Sequence, residues 1–265
     1  MTSTTDLPAP LVTDPDTFAG KVVLVTGGSQ GVGLGIARAF LRAGASVVTC
    51  ARTAFERAPA AEDDDHAGRA VHVAADIRTD DGISRVFDAT AERFGRLDVL
   101  VNNAGGQPPA DIATASPRFL RSIIDLNLTA PLLLAQRAYQ VMHEQPEGGC
   151  IINISSQASM PGGGGGSLVP YGASKAGLIH MTRSLAVAWG RTVRVNCVSL
   201  GWVETEAMAD LLLPEDRTEW NAILARIPVG RMGTPAEIGG ICVFLASPAA
   251  SYLNGTTIWA DGGGT

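Results

Sequence analysis

Lys21-Val22-Val23-Leu24-Val25-Thr26-Gly27-Gly28-Ser29-Gln30-Gly31-Val32-Gly33 is the stretch that decides the fold. Its first six residues make a short, almost wholly apolar run, the pattern of a strand buried on both faces. The glycines then turn the chain, and Val32, Ile36, Ala39 and Phe40 carry a helical period to Ala43, where Gly44 ends it. A strand, a glycine turn and a helix in this order can hold an anion. Glycines let the backbone approach closely, and the helix start offers free N–H groups and partial positive charge. The spacing Gly27-x-x-x-Gly31-x-Gly33 differs from the GxGxxG dinucleotide fingerprint, so the turn by itself serves a structural role as readily as a binding one.

The same alternation recurs along the chain. Further strands are predicted at Ser46–Ala51, Ala70–Ala75, Asp98–Asn102, Cys150–Ile154, Val193–Val198 and Thr256–Trp259. Helices are predicted at Ile83–Phe94, Pro117–Ala138 with a kink at Pro131, Leu168–Trp189 and Pro235–Leu245. Short apolar strands alternating with helices imply one α/β domain, residues 18–265, with a doubly wound parallel sheet of about seven strands covered on both faces. Between Arg52 and Ala70, Pro59, Asp63-Asp64-Asp65 and Gly68 leave room for a short helix and an acidic surface loop. Residues 1–17, rich in Thr, Pro and Asp, read as a flexible tail without the pattern of a signal peptide.

Composition narrows the function classes. A net charge of −6 with no basic tract argues against nucleic-acid binding, and no apolar run reaches membrane-spanning length. Hydrophobic residues make up 46% and charged residues 17%, which predicts that part of the surface is buried between subunits. Cys50, Cys150, Cys197 and Cys242 lack metal-ligand spacing and read as buried thiols. The expected setting is a reducing cytoplasm, with no metal.

Tyr171 and Lys175, in Tyr171-Gly172-Ala173-Ser174-Lys175, carry the chemistry. Four residues apart on a helix, a phenol and an ammonium share one face. A cation beside a phenol favours phenolate and draws its pKa down from about 10. That predicts a proton donor and acceptor for carbonyl–alcohol chemistry.

Five motifs in this order resemble the short-chain dehydrogenase/reductase family. They are Thr26-Gly27-x-x-x-Gly31-x-Gly33, Asn102-Asn103-Ala104-Gly105, Tyr171-x-x-x-Lys175, the stretch Gly230 to Glu237, and Asp261-Gly262-Gly263, together spanning residues 18–264. The resemblance implies a Rossmann-type sheet, a homotetramer or dimer, and an NAD(P)-dependent oxidoreductase acting on CH–OH groups. It implies catalytic roles for Ser156, which would donate to the substrate oxygen, for Tyr171, for Lys175, which would also bind the nicotinamide ribose, and for Asn127, which would hold a water in a proton relay. A satisfied core amide is the rival account of Asn127, and a cap or turn is the reading of Ser155. From Ser156 to Tyr171 is fifteen residues, slightly longer than in the family, and the run Gly162 to Gly166 predicts a roomy, mobile wall there.

By the same resemblance Gly27, Ser29, Gln30, Gly31, Val32 and Gly33 would hold the pyrophosphate, Asp76 and Ile77 the adenine, Asn103, Ala104 and Gly105 the adenosine ribose, and Val203 and Thr205 the nicotinamide amide and pyrophosphate. Leu200 stands where the family usually has proline, which predicts a less rigid turn. The end of strand two carries Ala51 and Arg52 and no acid, so a 2′-phosphate would be accepted and NADP(H) preferred, with NAD(H) still possible. Elsewhere Arg52 would be read as a solvated surface residue. Glu206 to Arg226, with Met208, Leu211, Leu212, Leu213 and Trp220, reads as an apolar lid suited to a small lipophilic carbonyl compound, or as a subunit interface. Alternatives are a 3-oxoacyl-thioester (acyl-carrier-protein) reductase and, in another class, a non-catalytic nucleotide sensor.

Overall fold

Strands that are apolar along their whole length need cover on both faces, and the chain supplies it. The computed structural model describes residues 16–55, 58–61, 64–163, 165–206 and 218–264. Seven strands run as β1 (Val22–Thr26), β2 (Ser46–Ala51), β3 (Ala70–Ala74), β4 (Val99–Asn102), β5 (Gly149–Ser156), β6 (Val193–Leu200) and β7 (Thr257–Ala260). They form one sheet in the order β3-β2-β1-β4-β5-β6-β7, with every neighbouring pair parallel. The order runs away from β1 in both directions. Between β1 and β4 it reverses, and such a reversal opens a crevice at the C-terminal strand ends.

Eight α-helices flank the sheet among the described residues: α1 (Gly31–Arg42), α2 (Asp64–Ala67), α3 (Asp80–Phe94), α4 (Pro117–Ile124), α5 (Ala130–Met142), α6 (Val169–Trp189), α7 (Thr218–Leu224) and α8 (Pro235–Ala246). Strand side chains alternate between faces, so β1 feeds two cores. Val23 and Val25 pack with Ile36, Phe40 and Leu41 of α1 and with Ile238 and Cys242 of α8. Leu24 packs with Val86 and Phe87 of α3 and with Leu134 and Met142 of α5. Phe18 closes the first core edge-on to Phe40, their centroids 5.3 Å apart. All four cysteines are free and buried.

Four elements depart from expectation. Strands β5 and β6 each run two residues beyond their apolar stretch, pairing Ser155 with Ser199 and Ser156 with Leu200. Leu200 keeps the backbone N–H that proline would lack, and the ladder continues to Ala260 of β7. The helix expected over Pro117–Ala138 is divided by a π-helical turn at Asp125–Thr129, ahead of Pro131 rather than at it. Pro131 has no N–H to offer the carbonyl of Asn127 four residues earlier, so the coil widens there. Helix α7 was not foreseen. Residues 1–15, Glu62, Asp63, Gly164, Met208 and Leu211 to Leu213 lie outside the described residues, so most of the tail and most of the expected lid do as well.

The stretch from Gly230 to Glu237 builds a helix start. Thr234 Oγ1 accepts from Glu237 N (3.2 Å), and Glu237 Oε2 accepts from Thr234 N (2.8 Å). Arg231 forks onto the same carboxylate at 2.7 and 3.0 Å. Its guanidinium, before the Thr234 bonds, holds Glu237 down at about 2. The adjoining Gly233 pairs with Val203, which fixes the segment after β6 at the crevice.

Candidate active site

A cleft of about 1370 Å³ occupies the crevice, and its outer half is built from the glycine turn. Gly27 sits at φ +65°, a conformation side chains disfavour. Gly33 is held by proximity instead: a Cβ there would lie 2.2 Å from Gly27 O and 2.4 Å from Asn103 Nδ2. Helix α1 opens at Gln30 with no side-chain cap and no acid in its first turn. Its first residues Gly31, Val32 and Gly33 line the cleft with Gly27, Ser29 and Gln30, which suits an anionic phosphate. Thr205 reaches the same turn, its Cγ2 3.3 Å from where a Gly31 Cβ would stand. Asn103 ties the turn to β4, donating from Nδ2 to Thr26 O (2.9 Å) and Gly27 O (3.3 Å). Gly33→Ala is therefore expected to cost about 1–3 kcal/mol of stability through overpacking. A melting temperature unchanged from the parent protein would show that the turn has slack.

At the far rim Ala51 and Arg52 follow β2, and Asp76 and Ile77 follow β3; all four line the cleft. Asp76 is not a free acceptor. Arg78 donates to it from Nε (2.9 and 3.2 Å) and Nη2 (2.5 Å), and the Arg78 backbone N–H adds a fourth bond at 3.1 Å. The Arg78 guanidinium is the main cause that holds the carboxyl below its usual range, and the charge of Arg52 adds to it. The sequence reading missed Arg78, although it lies only two residues beyond the acid.

The inner half gathers Ser156 at the end of β5 with Tyr171 and Lys175 of α6. Ser155 Oγ donates to Lys175 O (2.9 Å) and is buried, a structural use that leaves Ser156 to the cleft. Ser156 hydrogen-bonds the Tyr171 phenol and also accepts from Ala158 N at 3.2 Å. Lys175 is buried, and its Nζ donates to Ile154 O at 2.7 Å while lying 5.6 Å from the Tyr171 ring centre.

The expected depression of the phenol pKa is corrected here. Burial pushes Tyr171 up, and the bond to Ser156 offsets that only in part. The same burial brings Lys175 down to about 8. In this enclosure desolvation outweighs the attraction between the pair.

Asn127 sits in the π turn, fully buried. Its Oδ1 accepts from Gly106 N (2.9 Å), and its Nδ2 donates to Gly106 O (3.0 Å) and Ile123 O (2.9 Å). Its amide is thus satisfied by backbone. It also approaches Lys175: a Cβ on Gly105 would lie 2.6 Å from Asn127 Oδ1 and 3.0 Å from Lys175 Nζ.

Comparison with known proteins agrees with this geometry. A family model described as enoyl-(acyl carrier protein) reductase matches residues 27–265. The chain is 38% identical to an L-fucose dehydrogenase of Oryctolagus cuniculus over 250 residues, 93% of this chain and 85% of that one. It is 37% identical to the 2-dehydro-3-deoxy-D-gluconate 5-dehydrogenase of Escherichia coli (strain K12), covering 92% and 95%. A crystal structure assigned as a short-chain alcohol dehydrogenase from Sinorhizobium meliloti 1021 superposes with a TM-score of 0.80 at 36% identity, covering 94% and 98%. The chain belongs to the short-chain dehydrogenase/reductase family.

As a short-chain dehydrogenase/reductase it is an oxidoreductase of alcohol and carbonyl groups that works with a nicotinamide nucleotide. The uncapped α1 start and the open glycine turn fit that nucleotide's phosphates. In this short-chain dehydrogenase/reductase the lining of the inner cleft is mixed rather than purely apolar. Met160, Leu168, Trp202 and Ile227 line it beside Gln107, Gln157, Glu206 and Arg226. A buried polar chain also supports the site from below. Asn102 Nδ2 donates to Asn153 Oδ1 (2.9 Å), whose Nδ2 donates to Thr182 Oγ1 (2.9 Å). An asparagine at the end of β4 and another within the apolar run of β5 were its sequence signal. Among the described residues no helix is long and apolar enough to cross a membrane.

Proposed function

We propose that this protein is an NADP-dependent oxidoreductase that interconverts a small ketone or aldehyde and its alcohol. One observation carries the reading: Ser156, Tyr171 and Lys175 meet in the cleft whose other end holds the glycine turn and Arg52. When bound, the nicotinamide nucleotide supplies or accepts the hydride. Gly27 to Gly33, Asp76, Ile77, Asn103 to Gly105, Lys175, Val203 and Thr205 would hold it. Ser156 donates to the substrate oxygen, stabilising charge that develops there. Tyr171, kept protonated by burial, is ready to deliver its proton to that oxygen in reduction. In oxidation the phenol must first lose its proton, and the Lys175 ammonium favours the resulting phenolate. Asn127 acts by holding Gly106, and with it the loop beside Lys175.

The cofactor choice rests on the far rim. No acid closes β2, and Arg52 lines the cleft there, a setting that favours a 2′-phosphate. Initial rates of NADPH and NADH oxidation, followed at 340 nm against a panel of ketones, diketones, quinones and acyl thioesters, test both parts of the proposal. Arg52→Ala is expected to lower kcat/KM for NADPH by about 10–100-fold, the worth of one charged hydrogen bond, with little change for NADH. Equal efficiency of the two nucleotides with the unaltered protein would discard the phosphate clamp.

A further inference from the structure

We propose that Gln107 is a positioning residue for Tyr171, capping from a distance the helix that carries it; this rests on the catalytic role proposed above for Tyr171. The first N–H groups of a helix need acceptors from outside it. Helix α6 lacks the usual one: its N-cap is Leu168, which has no side-chain oxygen. A cap normally accepts from the second or third helical residue. The second is Pro170, which has no N–H, so the demand falls on the third, Tyr171 itself. Gln107 Oε1 meets it, accepting from Tyr171 N at 3.1 Å across 64 residues of chain.

The other end of the same carboxamide is also engaged. Gln107 Nε2 donates to Ser167 O at 2.7 Å, an oxygen that also accepts from Ala110 N at 3.3 Å. One residue earlier, Gly106 exchanges two hydrogen bonds with Asn127. A continuous path therefore runs from Asn127 through Gly106 and Gln107 to the backbone of Tyr171. It ties the first turn of α6 to the loop after β4. Without it the phenol is held only by helix packing and its bond to Ser156, and a displacement near 1 Å at a reacting group costs on the order of 100-fold in rate.

The test compares Gln107→Met, which removes both bonds, with Gln107→Glu, which keeps the acceptor for Tyr171 N and loses the donor to Ser167. Gln107→Met is expected to lower kcat by about 10–100-fold, with NADP affinity by calorimetry unchanged. Gln107→Glu is expected to restore most of that loss. Added to Tyr171→Phe, Gln107→Met should cost nothing further, because the two act as a unit. A general loosening of the loop would be neither rescued by glutamate nor silent in the double variant. Gln107→Asn, too short to reach Tyr171 N, replaces the Met variant if that one does not fold, with the same loss expected. The proposal is overturned by undiminished kcat in Gln107→Met (or its Asn substitute), by a glutamate variant as slow as that one, or by an additive double variant. Full activity in Tyr171→Phe alone would instead overturn the reading of Tyr171.

Discussion

Tyr171→Phe is expected to lower kcat for carbonyl reduction by about 10²–10⁴-fold, the usual worth of a positioned proton donor. The substitution removes one oxygen from a partly buried ring and leaves α6 otherwise intact. Its N–H would still reach Gln107, and the bonds of Lys175 to Ile154 and of Ser155 to Lys175 do not involve the phenol. Nucleotide affinity should therefore stay near that of the parent protein, separating a lost proton from a lost fold. Serine alone cannot replace the phenol, because an alcohol donating a hydrogen bond stabilises charge without completing the transfer. Single-turnover measurements with preloaded NADPH would read the chemical step directly. Activity undiminished by the substitution would refute the assigned mechanism.

The second large effect pulls stability and activity apart. Lys175 is a buried ammonium among the described residues, and burial has lowered its pKa from 10.5 to about 8. A group depressed in this way is carried at a cost while charged. The unfolded chain binds its proton up to 10.5 and the folded one only up to about 8, so the cost is fully present below 8 and fades between the two. At pH 7 it is about 3 kcal/mol. Lys175→Met removes it but leaves Ile154 O without its donor, which takes back roughly 1–2 kcal/mol. The variant is expected to melt about 3–6 °C higher at pH 7, with the advantage shrinking as the pH rises above 8. Its oxidation rate is expected to fall by at least about 100-fold, since the phenolate loses its neighbouring cation. A variant that melts lower at pH 7 would show that the ammonium contributes stability instead.

Strands were legible because burial on both faces writes a mostly apolar word, and β2 lies where that word lies. Their polar endings were not: Ser155, Ser156 and Ser199 belong to the ladder yet read as turn. The meeting of Ser156, Tyr171 and Lys175, the trio proposed to react, could be anticipated from spacing and resemblance, since four residues of helix bring a phenol and an amine together wherever the helix lies. Its proton affinities were not, because they depend on how much water the packed site excludes. Arg78 was overlooked for a related reason. Nothing in the string Asp76-Ile77-Arg78 says that the third side chain folds back onto the first. Gln107 and Tyr171 are far apart in the chain, and only the folded loop shows that one completes the other.

The widened coil before Pro131 has a consequence for which sequence changes the site can absorb. Rewinding that segment into regular helix would drop one residue from the turn and swing what precedes it by roughly 100° about the axis. Asn127 would then face away from Gly106, and the loop that steadies Lys175 and Gln107 would lose its anchor. A single absent hydrogen, on the nitrogen of Pro131, thereby sets the rotational phase at which Asn127 meets the neighbouring loop.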